Sequence, residues 1–313
     1  MGERLRRALA EAEAEGLDAL ALVPGPNLYY LTGMAFFLSE RPIVALVPVD
    51  ATPAVVLPDL ESAKATSKGL STFSYTDEDG YALAFHQACA SLELANARVG
   101  IEALKMRVLE AGILERYCPG VELVAVDDLF AGQRMVKGSD ELDQMRRAVR
   151  VAERAFVSWV ATVRPGMQER EAAARLISAL LSSGADGLAF DPIVAAGPRG
   201  ALPHATPSER PFQRGDWIVV DWGARVGGYC SDLTRMVVIG EPDGELAQVH
   251  RIVVAANAAG REAIRPGCEA RDVDTAARTV IEAEGYGPQF FHRTGHGLGL
   301  EEHEPPYIVA GNG

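Results

Sequence analysis

The run from Asp216 to Arg235, Asp-Trp-Ile-Val-Val-Asp-Trp-Gly-Ala-Arg-Val-Gly-Gly-Tyr-Cys-Ser-Asp-Leu-Thr-Arg, places two carboxylates, Asp221 and Asp232, inside hydrophobic strands. Trp217 to Val220 and Met236 to Ile239 are apolar and rich in β-branched residues, and Gly227 and Gly228 offer the positive φ of a hairpin turn. A turn centred on Val226 and Gly227 sets Asp221 opposite Asp232, with Cβ atoms roughly 4.5–5.5 Å apart. Two anions held that close repel unless they share a proton or a cation, so the pair asks for metal.

Only six histidines occur in the chain, and three of them, His292, His296 and His303, fall in the glycine-rich run from Phe290 to Pro306. A single histidine in a loop reads as an ordinary satisfied polar residue. Three together beside glycines shift the balance, because imidazole ligates Zn, Mn, Fe and Co and glycine lets a backbone approach a ligand closely. Carboxylates and imidazoles without thiolates describe a hard to borderline metal site.

The order Asp-x10-Asp, then His-Gly-Leu-Gly, then a second histidine seven residues after the first, resembles the metallopeptidases of the pita-bread fold. Within them it is similar to the Xaa-Pro aminopeptidase and prolidase branch, over nearly the whole chain. Residue by residue, the resemblance implies that Asp221, Asp232 and His296 are metal ligands for two divalent ions (Mn, Co or Zn). It also implies that His204, His292 and His303 contact the substrate or transition state, His204 following Pro203 as in the family. The implied fold is α/β (α+β), a creatinase/prolidase-type N-terminal domain over 1–132 followed by a pseudo-symmetric pita-bread catalytic domain over 139–313. The implied reaction is hydrolysis of the Xaa-Pro bond in a proline-containing peptide. Release of the N-terminal residue from longer peptides, the aminopeptidase P type, is the leading reading, and Xaa-Pro dipeptidase (prolidase) is the alternative. A homodimer is implied as well.

The family completes its site with two glutamates on strands after the second histidine, which fall beyond Gly313; its general-base glutamate lies there too. Glu301, Glu302 and Glu304 sit between and beside the histidines and are not read as ligands. A molecule of 313 residues is therefore expected to bind metal weakly and to be inactive. Two divalent ions roughly 3.5–4 Å apart lower the pKa of a shared water. His303 is the candidate donor to the developing oxyanion, with His292 and His204 orienting the leaving-group side. Proline as target rests on the resemblance; the Xaa-Pro amide lacks an N–H, so a dedicated site is physically reasonable.

Competing readings fit less well. Gly295-His-Gly-Leu-Gly lacks the spacing of a dinucleotide loop. A catalytically inactive binding module on the same fold would have lost the ligands that this chain keeps at Asp221, Asp232 and His296.

With 313 residues and 48% hydrophobic content, two domains with sizeable cores are the prior, and a net charge of −13 argues against nucleic acid. Cys89, Cys118, Cys230 and Cys268 are scattered without a CxxC pair, which predicts reduced thiols, with Cys230 a small packing residue. Met1 to Ala10 carries no apolar run of signal-peptide length and no long apolar span occurs, so no membrane contact and a cytoplasmic location are expected.

Alternating apolar and helical stretches up to Val126, with strands at Ala19–Val23, Asn27–Gly33, Ile43–Val47 and Ala54–Leu57 and helices near Glu61–Ser67 and Tyr81–Leu94, predict an α/β unit, although a helix packing its aromatics on one face also fits Tyr29 and Tyr30. Asp127 to Gly138 reads as a turn-rich junction, and Ser139 as the N-cap of a long helix. Arg164-Pro-Gly and Arg265-Pro-Gly each fall between two predicted helices, the mark of an internal duplication.

Overall fold

The structure, a computed structural model, describes residues 2–66, 68, 70–242 and 244–312. Two compact units divide the chain, Met1–Val136 and Lys137–Gly313.

In the first unit α1 (Glu3–Ala14), β1 (Ala19–Leu22) and α2 (Pro26–Thr32) are followed by β2 (Val44–Pro48), β3 (Ala54–Pro58), α3 (Ser62–Thr66) and β4 (Ser71–Tyr75). Then come α4 (Ala82–Ser91), β5 (Arg98–Ile101), α5 (Val108–Tyr117), β6 (Glu122–Ala125) and α6 (Asp127–Met135). The six strands form one sheet in the order β4-β3-β2-β1-β5-β6. Strands β1, β2 and β3 are buried at every position, as their unbroken apolar runs require of central strands. Gly100 of β5 is fixed by packing, since a Cβ there would lie 2.8 Å from Leu20 and 2.9 Å from Val126.

Four expectations are corrected here. Asn27 to Gly33 is a helix and not a strand: Pro26 starts α2 with φ already set, and Gly33, at φ +69°, closes it with its N–H on the Tyr29 carbonyl. The junction segment contains α6, whose Leu129 and Phe130 are buried. Gly138, not Ser139, is the N-cap of the long helix that follows, because the Glu141 carboxylate accepts the Gly138 N–H at 2.9 Å. Cys89 and Cys118 are joined in a disulfide, Cα–Cα 5.4 Å, because packing of α4 against α5 brings together two thiols 29 residues apart. Ser67, the expected end of the helix from Glu61, and Gly313 lie outside the described residues.

In the second unit α7 (Ser139–Val160) and α8 (Glu169–Ser182) precede β7 (Gly187–Leu188), β8 (Ile193–Ala196), β9 (Trp217–Trp222) and β10 (Ala224–Val226). After these come β11 (Tyr229–Cys230), β12 (Leu233–Val238), α9 (Gly244–Ala263), α10 (Ala270–Ala283), β13 (Gly295–Gly297) and β14 (Glu304–Ile308). Its sheets run β12-β9-β8, β11-β10-β7 and β13-β14. Two buried tryptophans centre the core. Trp222 stacks on Phe156 at 4.4 Å between ring centroids and donates to the Ala152 carbonyl, while Trp159 donates to that of Ala172.

The duplication is visible in the turns. Gly166, between α7 and α8, and Gly267, between α9 and α10, share a φ of +85°, and Met167 and Cys268 donate to the Arg164 and Arg265 carbonyls respectively. No described helix is long and apolar enough to cross a membrane.

Candidate active site

The carboxylate hairpin turns on Gly227 and Gly228, at φ +57° and +85°, one residue later than expected. Val226 therefore pairs with Tyr229, and Asp221 pairs with Thr234 instead of Asp232. A two-residue change of register leaves every side chain on its original face, so Asp221 and Asp232 remain diagonal neighbours on one side of the sheet. Gly223 separates β9 from β10 where a Cβ would meet the Ser231 carbonyl at 2.0 Å. The hairpin is tied to the start of α7 by Tyr229, whose hydroxyl donates to Glu141 at 2.7 Å.

All six residues singled out from the sequence line one cleft of about 450 Å³: Asp221, Asp232 and His296, with His204, His292 and His303. His296 Nε2 lies 3.5 Å from Asp232 Oδ2, and the rings of His296 and His303 are 4.3 Å apart. His296 Nδ1 is 2.9 Å from the Gly297 carbonyl, which accepts from it, and Nε2 is the ring nitrogen that faces Asp232. Thr234 Oγ1 donates to Asp221 Oδ1 at 2.9 Å.

Burial first, then the charge of Asp232, push the Asp221 carboxyl up to about 6 against the opposing Thr234 hydrogen bond. Burial likewise raises Asp232, opposed by His296 and His303. Burial, followed by His296 and Arg293, lowers His303, so its imidazole is uncharged at neutral pH.

Among the described residues no three His, Cys, Asp or Glu side chains converge tightly enough to define an ion site by themselves. The donor set nevertheless fits divalent metal. An imidazole nitrogen and a carboxylate face each other across 3.5 Å, and two raised carboxyls share the cleft, a donor set that suits a divalent cation. Asp221→Asn is accordingly expected to stabilise the metal-free protein. A carboxyl raised from 3.8 to about 6 by folding costs nothing below pH 3.8; the cost grows through that window and is full above pH 6. Discounted for partial exposure, the gain is about 1–3 kcal/mol at pH 7.5. Thermal unfolding at pH 7.5 and pH 3.5 measures it, and an equal shift at both pH values refutes the assignment.

Each histidine loop is held by a buried carboxylate. Asp274, fully buried, accepts from the Thr294 hydroxyl at 2.6 Å and from Arg278, which also donates to the Phe290 and His292 carbonyls. Glu304 pairs with Lys137 at 3.0 Å and accepts the Glu301 N–H, and Gly299 leaves the room this carboxylate occupies. Glu302 lines the cleft. Cys230 is fully buried against the Leu300 carbonyl and serves packing. Thr234 and the apolar wall of Phe190, Pro192 and Ile193 were not anticipated. Alternation could have shown Thr234, two residues from Asp232 on the same face, whereas nothing in the sequence marks the wall.

The pattern of metallopeptidase family M24 matches residues 143–313, and that of the creatinase/prolidase N-terminal domain matches 4–136. The chain is 39% identical to the probable dipeptidase PepE of Mycobacterium tuberculosis over 99% of its own length and 82% of the relative's. It is 30% identical to the Xaa-Pro dipeptidase of Pyrococcus horikoshii over 98% and 84%. Among solved structures, the recombinant prolidase of Thermococcus sibiricus superposes with a TM-score of 0.93 at 32% identity, covering 99% of this chain and 85% of that one.

Proposed function

Because the chain belongs to metallopeptidase family M24, with a creatinase/prolidase N-terminal domain ahead of a pita-bread catalytic domain, we propose that it hydrolyses the Xaa-Pro bond of dipeptides. The dipeptidase reading, the alternative drawn from sequence, is preferred to the aminopeptidase P reading because the relatives are named dipeptidases and prolidases. The observation that carries it is the one cleft that gathers Asp221, Asp232 and four histidines against an apolar wall. Phe190, Pro192 and Ile193 offer a surface of the right character for a pyrrolidine ring.

Asp221, Asp232 and His296 would hold divalent metal, Mn, Co or Zn, which supplies an activated water and a Lewis acid. His303 donates a ring N–H to the carbonyl oxygen as it gains charge, a role suited to an uncharged imidazole. His204 and His292 orient the peptide from the cleft's other sides. Hydrolysis of an Xaa-Pro dipeptide beside an Xaa-Pro-Yaa tripeptide, with each metal added, tests the reading. Faster turnover of the tripeptide than of the dipeptide restores the aminopeptidase reading.

The two histidine roles separate kinetically. His303→Ala is expected to lower kcat by about 10²–10³-fold with little change in metal affinity. His296→Ala is expected to weaken metal binding first. Calorimetric titration beside steady-state kinetics distinguishes them, and equal metal loss in both variants removes the distinction.

Homodimerisation is supported by large apolar side chains left exposed on the first unit, where Phe37, Leu104 and Val108 are 83%, 84% and 90% exposed. Arg107 draws the two segments together by donating to the Ser39 carbonyl at 2.6 Å. A monomeric mass by light scattering at micromolar concentration rejects the dimer. The cytoplasm is the proposed compartment, against which the Cys89–Cys118 bond argues for a more oxidising one. Thiol titration of protein from cells lysed under alkylating conditions decides.

A further inference from the structure

Glu169, the first residue of α8, is completely buried, yet it lies outside the cleft. Its carboxylate accepts four hydrogen bonds. Ala196 N–H donates to Oε1 at 2.8 Å; Arg199 Nε at 2.9 Å, Ser208 N–H at 2.9 Å and Ser208 Oγ at 2.6 Å donate to Oε2. These donors bracket the segment 196–208, which carries His204. Arg199 also crosses the segment to the Thr206 carbonyl at 2.7 Å. Two residues of the loop have left-handed backbone, Gly197 at φ +56° and His204 at φ +53°. A Cβ on Gly197 would meet Arg210 at 2.8 Å and Asp216 at 2.9 Å, so the loop starts pressed against that bidentate ion pair. His204 is exposed and makes no hydrogen bond with any described residue, so its placement comes from the backbone that carries it. A non-glycine residue at positive φ persists only where its surroundings over-determine it.

We propose that Glu169 is a positioning residue for peptide hydrolysis: its buried carboxylate clasps both ends of the 196–208 loop and so fixes His204 in the cleft. The inference rests on the reading of His204 as a substrate contact. Four donors converge on one carboxylate, and an amide cannot replace it. In Glu169→Gln one side-chain atom becomes an N–H₂ donor facing other donors, with the shape of the side chain unchanged. Burial pushes this carboxyl up, but the hydrogen bonds from Ser208, Ala196 and Arg199 outweigh it and hold it below the usual carboxylate range, in its accepting form at neutral pH.

The test compares the parent enzyme with E169Q, H204A and the double variant. It measures kcat and KM on an Xaa-Pro dipeptide, metal affinity by calorimetry, and amide hydrogen exchange of the metal-free protein. E169Q is expected to lower kcat/KM by about 10–100-fold, the scale of losing an outer partner of a reacting group. Exchange should quicken across 196–208 and not in β9 or β12, with metal affinity unchanged. The double variant should be no worse than H204A within about twofold, since both changes remove the same placed imidazole. Multiplied losses in the double variant, or unchanged exchange across 196–208, overturn the assignment of Glu169 and leave that of His204 standing. Parental kcat/KM in H204A overturns the reading of His204 and the inference with it. Should E169Q fail to fold, S208A removes one donor of the clasp alone; a smaller loss in the same direction, absent on the H204A background, supports the inference, and no loss overturns it.

Discussion

Asp232→Ala is expected to abolish hydrolysis while leaving the fold intact. The carboxylate faces His296 Nε2 at 3.5 Å and shares the cleft with Asp221, so its removal takes away the group on which both other proposed ligands converge. A loss on the order of 10²–10³-fold or more is the scale seen when one preorganised electrostatic partner is deleted from a reacting site. Stability should not fall, because burial already raises this carboxyl and its ionised form is therefore disfavoured in the metal-free protein. Divalent metal should stabilise the parent and not the variant, because binding to the native state alone adds to its stability. The decisive measurements are turnover and unfolding temperature with and without Mn. Metal-dependent activity near the parental level in the variant would falsify the assignment of Asp232.

Loss of the Cys89–Cys118 bond is expected to have the largest effect on stability. The bond closes a loop of 29 residues, and the chain-entropy relation gives about 3.5 kcal/mol for a loop of that length. Both sulfurs are buried in the core of the first unit, at 2% and 1% exposure, so the effect belongs to that unit. Denaturant unfolding with and without reductant, followed by a probe in residues 1–136, should show the midpoint of this unit falling under reduction. The Cys89→Ala/Cys118→Ala variant should match the reduced parent. Identical midpoints, or four titratable thiols in the unreduced protein, reject the bond.

Much of the site was legible because its signals are local. Alternation of β-branched residues around Asp221 and the run of glycines around His296 are features of a dozen neighbouring residues, and the structure keeps both. The helices from Ser139 to Ser182 and from Gly244 to Ala283 likewise follow a 3.6-residue period with Arg-Pro-Gly turns between them. The register of the hairpin was misread, since Val226-Gly227 and Gly227-Gly228 are both plausible turn centres. Only the positive φ at both glycines selects the second.

The sequence by itself determined which residues are the candidates for the chemistry, because carboxylate and imidazole side chains among strand and glycine patterns are written in residue type and short-range period. Tertiary structure alone decided the rest. It brought His204 to a cleft shared with His303, joined Cys89 to Cys118, and set the buried carboxylates Glu169, Asp274 and Glu304 behind the histidine loops. The physical reason is that these carboxylates are satisfied largely by backbone N–H groups and by side chains from other elements, and a peptide N–H is the same at almost every position. Which N–H meets which buried acid is fixed only when the helices and sheets pack.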